Sequence, residues 1–326
     1  MKNIILYISI AAGLFSCTQA NTESKPAEIP FAIVIHGGAG YMTPERIDSN
    51  LEQQYRDTLN LAIAKGYEIL KQGGSSVDAI QAAICILEDC ILFNAGRGAV
   101  YNSVAQQEMD ASIMDGNTLN SGAVAGVRSI MNPIKAARLV MDSSRHVMMA
   151  GRGAEKLSQQ YGLVLKDSSY FYDKAGYDQI QEVIKRSKHG TVGAVAIDKK
   201  GNIAAATSTG GMFNKKWNRI GDSPIIGAGT YANNKTCGIS STGTGEYYIR
   251  TVAAHEVSSL VQYKNLNLEE AINEVIFNQI EPLGGEGGMI GIDAQGNIAW
   301  DFNTLGMFRG YMSSNGNSEV HLFGKE

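Results

Sequence analysis

Hydrophobic and polar positions along the chain alternate between two periods, and the switches between them mark the elements. Apolar residues over 31–36 predict a strand, helix-period stretches follow over 45–72 and 76–88, and strands are expected near Ala99 and over 109–114. Helices are then expected near 133–141 and 151–161, whereas 167–188 mixes polar and aromatic residues without a period and reads as a mobile linker. Residues 192–197 alternate small and β-branched side chains, Asp198-Lys199-Lys200-Gly201-Asn202 is turn chemistry, and 203–209 is strand-like again, which predicts a β-hairpin. Beyond it come a strand near 238–241, helices over 246–262 and 268–279, and a last hairpin, 289–293 with 297–303. The two hairpins share an Ile-Asp-x-x-Gly-Asn-Ile-Ala pattern, which is read as common turn chemistry rather than duplication. The sum is an α+β chain.

Chemistry is concentrated around the first hairpin. Gly190 immediately precedes Thr191 at the strand start. A threonine hydroxyl is a poor nucleophile until a base takes its proton, and an adjacent α-amine with a reference pKa of about 8 can do so. Cleavage between Gly190 and Thr191 creates that amine. Glycine at 190 tolerates the strained backbone in which the hydroxyl attacks the preceding carbonyl. The second strand ends in Thr207-Ser208-Thr209-Gly210-Gly211, and a hairpin brings hydroxyls near Thr209 back beside Thr191. Arg219 and Asp222 lie three apart in a Gly/Pro loop; they form either a surface ion pair or a clamp for a zwitterion. Ser241-Thr242-Gly243-Thr244-Gly245-Glu246, ahead of a helix, offers hydroxyls and open backbone N–H groups to an oxyanion.

Taken in order, HGTVGAVA, TSTGG, RIGDSP, GAGTYANN and STGTGE resemble the plant-type asparaginase and isoaspartyl peptidase family of N-terminal nucleophile hydrolases. Ile35-His36-Gly37-Gly38-Ala39-Gly40, Gly73-Gly74-Ser75-Ser76-Val77-Asp78-Ala79, Phe93-Asn94-Ala95-Gly96-Arg97-Gly98 and Gly284-Gly285-Glu286-Gly287-Gly288 extend the resemblance over nearly everything after residue 30. It implies a four-layer αββα sandwich, with 30–326 a single catalytic domain cut autocatalytically into 17–190 and 191–326. Thr191 is then the nucleophile, Thr209 tunes its protonation, Thr242 and Gly243 form the oxyanion hole, and Arg219, Asp222, Gly245 and Asn94 hold substrate. The resemblance also implies that backbone carbonyls of Leu87, Glu88, Cys90, Phe93, Ala95 and Arg97 wrap a sodium ion. No other cofactor is expected. Ile91 stands where that loop commonly has proline. The implied reaction is hydrolysis of asparagine or β-aspartyl dipeptides through a β-aspartyl ester of Thr191, by a homodimer of cleaved protomers.

Two competing readings differ in class. Glycosylasparaginases share the fold logic but tend towards aspartate before the threonine and a TGNGD-like turn, where this chain has HGTVG and TGTGE. A non-catalytic binding protein on the same fold is disfavoured by threonine at 191, 209 and 242 together with Arg219 and Asp222. Gly73-Gly74-Ser75-Ser76 superficially resembles a serine amidase signature but reads as a helix start, with Ser76 at the N-cap and Asp78 in the first turn. His36, His146, His189, His255 and His321 are scattered without metal-ligand spacing, and no phosphate-binding loop or serine elbow occurs. His189 is a candidate proton donor beside the scissile bond, or an ordinary loop histidine.

Composition narrows the setting. The 326 residues are 44% hydrophobic and 18% charged with net charge −4, which excludes a basic nucleic-acid footprint or a polybasic membrane patch. Residues 1–16 combine a short basic start with an apolar run too short to span a bilayer, and Leu14-Phe15-Ser16-Cys17 resembles a lipoprotein cleavage box. Cys17 would then be lipidated, 17–29 would serve as a flexible leader, and the protein would be an exported bacterial lipoprotein, periplasmic or anchored to the outer membrane; a plain secretory signal cut near Ala20 is the alternative. Cys85, Cys90 and Cys237 are an odd remainder, so no disulfide framework is implied.

Overall fold

A computed structural model of the chain describes residues 30–181 and 190–324. Strands β1 (Ala32–Gly40), β2 (Met109–Asp115), β3 (Ser121–Val127), β4 (Met148–Ala150), β5 (Val192–Ile197), β6 (Ile203–Thr209), β11 (Gly306–Ser313) and β12 (Ser318–His321) form one sheet, ordered β12-β11-β1-β5-β6-β2-β3-β4. Strands β7 (Thr230–Ala232), β8 (Cys237–Gly243), β9 (Gly287–Asp293) and β10 (Ile298–Phe302) form the other, ordered β10-β9-β8-β7.

Strand periodicity sorts the side chains into layers. On β1, Ile33 and Ile35 face a core shared with α1 (Ser49–Lys71), α2 (Ser76–Asp89) and α3 (Pro133–Ser143). The intervening Ala32 and Val34 face a second core with Val195, Ile197, Ile203 and Ala205 on one sheet and Ile290 and Ile292 on the other. A third core lies between β8 and β9 and the helices α8 (Ala253–Lys264) and α9 (Leu268–Asn273), with Ile239, Val257, Leu260 and Ile272 among its members. Both sheets are therefore buried on both faces, and the fold is the expected four-layer αββα sandwich.

The local reasons are legible in the residues. Helix α1 buries Leu59, Ala62, Ile63, Gly66 and Leu70, a one-faced spacing, and Asp48 caps it by accepting from the N–H groups of Asn50 and Leu51. The predicted first hairpin is β5–β6, paired from Val192 with Ser208 to Ile197 with Ile203. Its Asp198 Oδ1 accepts from the N–H groups of Lys200 and Asn202; in the β9–β10 hairpin Asp293 Oδ1 accepts from Gln295 and Asn297. The shared motif is thus an aspartate-closed turn used twice.

Several expectations are corrected. The cap of α2 is Ser75, whose Oγ accepts from the Asp78 N–H, and Ser76 is already helical. Near Ala99 there is a 3-10 turn, Gly96–Gly98, instead of a strand. The helix expected over 246–262 breaks at Val252, a left-handed residue with φ 50°, into α7 (Gly245–Thr251) and α8. The break lets the N–H groups of Ala254 and His255 donate to the carbonyls of Ala228 and Gly227. The second of the helices expected there, 268–279, begins as α9 and continues as a π-helical stretch, Glu274–Ile280. The 289–303 hairpin is not the last, because β11–β12 follows and extends the large sheet. Within the expected linker lie α5 (Ser168–Phe171) and α6 (Lys174–Gln181), with Phe171 buried; between α3 and these, α4 covers Gly151–Gln160. Residues 182–189, including His189, lie outside the described residues, as do 1–29 with Cys17.

Candidate active site

Antiparallel pairing puts the start of β5 beside the ends of β6 and β1, and the stacked second sheet brings the end of β8 to the same edge of the sandwich. Thr191, just ahead of β5, is buried there, and its Oγ1 donates to Thr209 Oγ1 at 3.1 Å. Thr209 Oγ1 also accepts from the Gly211 N–H at 2.9 Å, and its own proton points to the Gly190 carbonyl at 3.4 Å. The hairpin therefore delivers the hydroxyl pair that its topology predicts.

Asn94 holds the other side of the Gly190–Thr191 peptide. Its Nδ2 donates to Gly190 O at 2.7 Å and to Gly211 O at 2.8 Å, while its Oδ1 accepts from the Val100 N–H at 3.0 Å. Expected among the substrate contacts, Asn94 thus contacts the carbonyl of the Gly190–Thr191 peptide. Gly38, with φ +113°, packs against the same bond: a Cβ there would stand 2.7 Å from Gly190 Cα and 3.2 Å from Thr191 N.

Behind Thr191, His36 Nδ1 lies 2.9 Å from Thr191 O and Nε2 lies 2.9 Å from Ser240 Oγ. A carbonyl only accepts, so Nδ1 carries the proton and Nε2 accepts from Ser240. Burial lowers the imidazole pKa to about 3, against a backbone hydrogen bond to Thr191 that raises it, so His36 is neutral at any working pH. From Ser240 a buried hydroxyl chain runs through Thr207 (2.7 Å), Thr230 (2.5 Å) and Ser112 (2.8 Å) to Ser223 O (2.6 Å), next to Asp222. The Thr191 carbonyl and the loop carrying Asp222 are thereby tied to one rigid polar layer. Gly193 permits it, since a Cβ at that position would overlap Ser240 Oγ and His36 Nε2.

Asp222 and Arg219 do not pair with each other. Arg219 Nε and Nη2 fork onto Glu246 Oε1 and Oε2, each at 2.8 Å. Asp222 is buried and its Oδ2 has no hydrogen-bond partner among the described residues. Burial drives its pKa up to about 7. Glycine at 245 lets the turn close on it, as a Cβ there would lie 2.7 Å from both Asp222 N and Oδ1. Thr242 Oγ1 accepts from the Ala39 N–H at 3.3 Å, which leaves its own proton for another acceptor.

Thr191, Thr209, Arg219, Asp222, Gly243 and Glu286 are among the residues that line one cavity of about 80 Å³. Asn94, Thr242 and Gly245 are not in its wall. The cavity thus offers threonine hydroxyls, a cation and an unpaired carboxyl within one small polar space. Sequence reasoning left Glu246 and His36 without roles; Glu246 was visible in TGTGE, yet nothing local points its carboxylate at residue 219, 27 positions away.

The loop expected to hold sodium leaves α2 at Leu87 and Glu88 and ends at the 3-10 turn. Its carbonyls crowd Gly96 and Gly98: a Cβ at 96 would stand 2.5 Å from Glu88 O, and one at 98 would meet the oxygens of Phe93 and Ile91. The described residues contain no cluster of three or more His, Cys, Asp or Glu suited to a metal ion.

Layered αββα architecture, with a threonine at a strand start facing a polar cavity, defines the class: an N-terminal nucleophile hydrolase. A family model described as asparaginase matches residues 29–322. Isoaspartyl peptidase of Escherichia coli (strain K12) is 45% identical over 294 residues, covering 86% of this chain and 92% of that protein. That of Salmonella typhimurium is 44% identical with 86% and 94% covered, and isoaspartyl peptidase/L-asparaginase of Mus musculus is 39% identical with 83% and 84% covered. The chain belongs to the asparaginase family.

Proposed function

We propose that the protein is a self-processing threonine hydrolase that releases L-aspartate from β-aspartyl peptides and from L-asparagine. The observation that carries this reading is the Thr191–Thr209 hydroxyl pair at 3.1 Å in a cavity that also holds the unpaired Asp222 Oδ2 and the Glu246-braced Arg219. Arg219 would fork its remaining N–H groups onto the substrate α-carboxylate, and ionised Asp222, with the Gly245 carbonyl, would take the α-ammonium. Processing comes first: Thr191 Oγ attacks the Gly190 carbonyl, polarised by Asn94, and the Gly190–Thr191 C–N bond breaks as the hydroxyl proton passes to the departing nitrogen, which becomes the Thr191 amine. Water then hydrolyses the Gly190 ester to restore the hydroxyl. In turnover that amine takes the Oγ proton, Oγ attacks the side-chain carbonyl, and Thr242 Oγ and the Gly243 N–H stabilise the oxyanion. The proton passes to the departing nitrogen, and water cleaves the β-aspartyl ester.

The relatives' names support this reading over a glycosylasparaginase or a silent binding protein. Incubating processed protein with β-aspartyl-leucine, asparagine and GlcNAc-asparagine tests it: aspartate from the first two supports it, and release from the glycosylated substrate alone would replace it.

Three finer features belong to the same reading. Sodium would sit among the carbonyls of Leu87, Glu88, Cys90, Phe93, Ala95 and Arg97, holding the loop that carries Asn94; a thermal midpoint raised by sodium chloride over choline chloride at equal ionic strength checks it. Lipidation at Cys17 is checked by mass spectrometry of membrane-extracted protein against Cys17→Ser. Among the described residues no helix is long and apolar enough to cross a membrane. Pairing of cleaved protomers is checked by sedimentation.

A further inference from the structure

We propose that Glu286 makes the enzyme discriminate against leaving groups that carry a free α-carboxylate, so that isoaspartyl residues followed by a longer chain are preferred over β-aspartyl dipeptides. This rests on the activity proposed above. The departing nitrogen must receive its proton from the Thr191 amine, so the leaving group lies on the Gly190 side of the nucleophile. That side is built from the end of β1: Gly38 packs on Gly190 Cα and Thr191 N, and Ala39, Gly40 and Tyr41 continue along the cavity wall. Where the wall reaches solvent, the Tyr41 hydroxyl contacts both carboxylate oxygens of Glu286 at 3.3 and 3.4 Å. Glu286 is exposed, lines the cavity, and forms no ion pair among the described residues.

The other charges are engaged differently. Arg219 is forked to Glu246 and stands with Asp222 beside the aspartyl moiety. Arg46 lies over the Tyr41 ring, 5.9 Å from its centroid, and is not in the cavity wall. A leaving amino acid with a free carboxylate therefore meets a like charge at the mouth, whereas an amide-linked chain does not. The position of Glu286 is secured by its backbone, whose carbonyl accepts from the Thr244 N–H at 2.8 Å, so its side chain can change while the turn stays.

The test compares kcat/KM for β-aspartyl-leucine and β-aspartyl-leucine amide in processed wild type and Glu286→Gln, with asparagine as a third substrate. Like charges several ångströms apart near water predict a wild-type preference for the amide of about threefold to tenfold, shrinking in high salt. The ratio should fall to near one in Glu286→Gln. A ratio unchanged by the substitution, or a wild-type preference for the free acid, overturns the proposal while leaving the activity intact. Failure to release aspartate from all three substrates overturns the activity itself, and this inference with it.

Discussion

Asp222 has a buried carboxyl whose pKa has been lifted from 3.8 to about 7 by desolvation, and it is ready to ionise against a cation. On the proposed reading only its ionised form takes the substrate ammonium, so kcat/KM should rise with pH through about 7, with the freed Thr191 amine, of reference pKa about 8, adding a second step. In Asp222→Asn the limb near 7 should vanish and KM should rise about 30-fold or more, read from steady-state rates between pH 5 and 9. The same shift has a stability sign. A raised carboxyl binds its proton more tightly in the folded state, so its contribution is complete below pH 3.8 and is lost as pH climbs through 7. Substrate bound at higher pH should restore what is lost. Glu246, whose pKa is lowered chiefly by its hydrogen bonds to Arg219, is a positioning residue. Glu246→Gln should raise KM about tenfold with kcat little changed and processing intact, because only the aim of the guanidinium is released.

At the scale of elements, the site depends on the β5–β6 hairpin lying flat against β8. Gly193 is the contact point, and Gly193→Ala would drive a methyl into His36 and Ser240, costing ~2 kcal/mol or more and slowing processing; circular dichroism melts together with cleavage rates check both. This hairpin was legible in the sequence because its periodicity, its Asp198 turn and its terminal threonines are all local. So was the αββα layering, once the motif order pointed to it. What stayed hidden is what tertiary contacts impose. Val252 is a good helix interior by pattern, and it is left-handed only because α8 must start on the carbonyls of Gly227 and Ala228. Likewise β3, β11 and β12 complete a sheet whose order no run of residues encodes, and α5 and α6 stand in a stretch without a period. The partner of Arg219 and the role of His36 fall in the same category, each joined across the fold to a residue far away in sequence.

For the whole molecule, the intact chain holds the cavity, the braced arginine and the unpaired aspartate, while the Thr191 nitrogen is part of a peptide bond. On the proposed reading, folding builds the site first and cleavage switches it on. Thr191→Ala should leave a folded but uncut and inactive protein, whereas Arg219→Ala should still process and mainly lose substrate affinity. These variants separate assembly from chemistry, because one removes the hydroxyl and the other the cation of one cavity. The most direct measurement is the intact mass of the purified, incubated protein under denaturing conditions, taken beside its rate of aspartate release. Two fragments meeting at Gly190 and Thr191, appearing in step with activity, are the expected result. A single uncut chain that hydrolyses β-aspartyl-leucine at full rate would contradict the account.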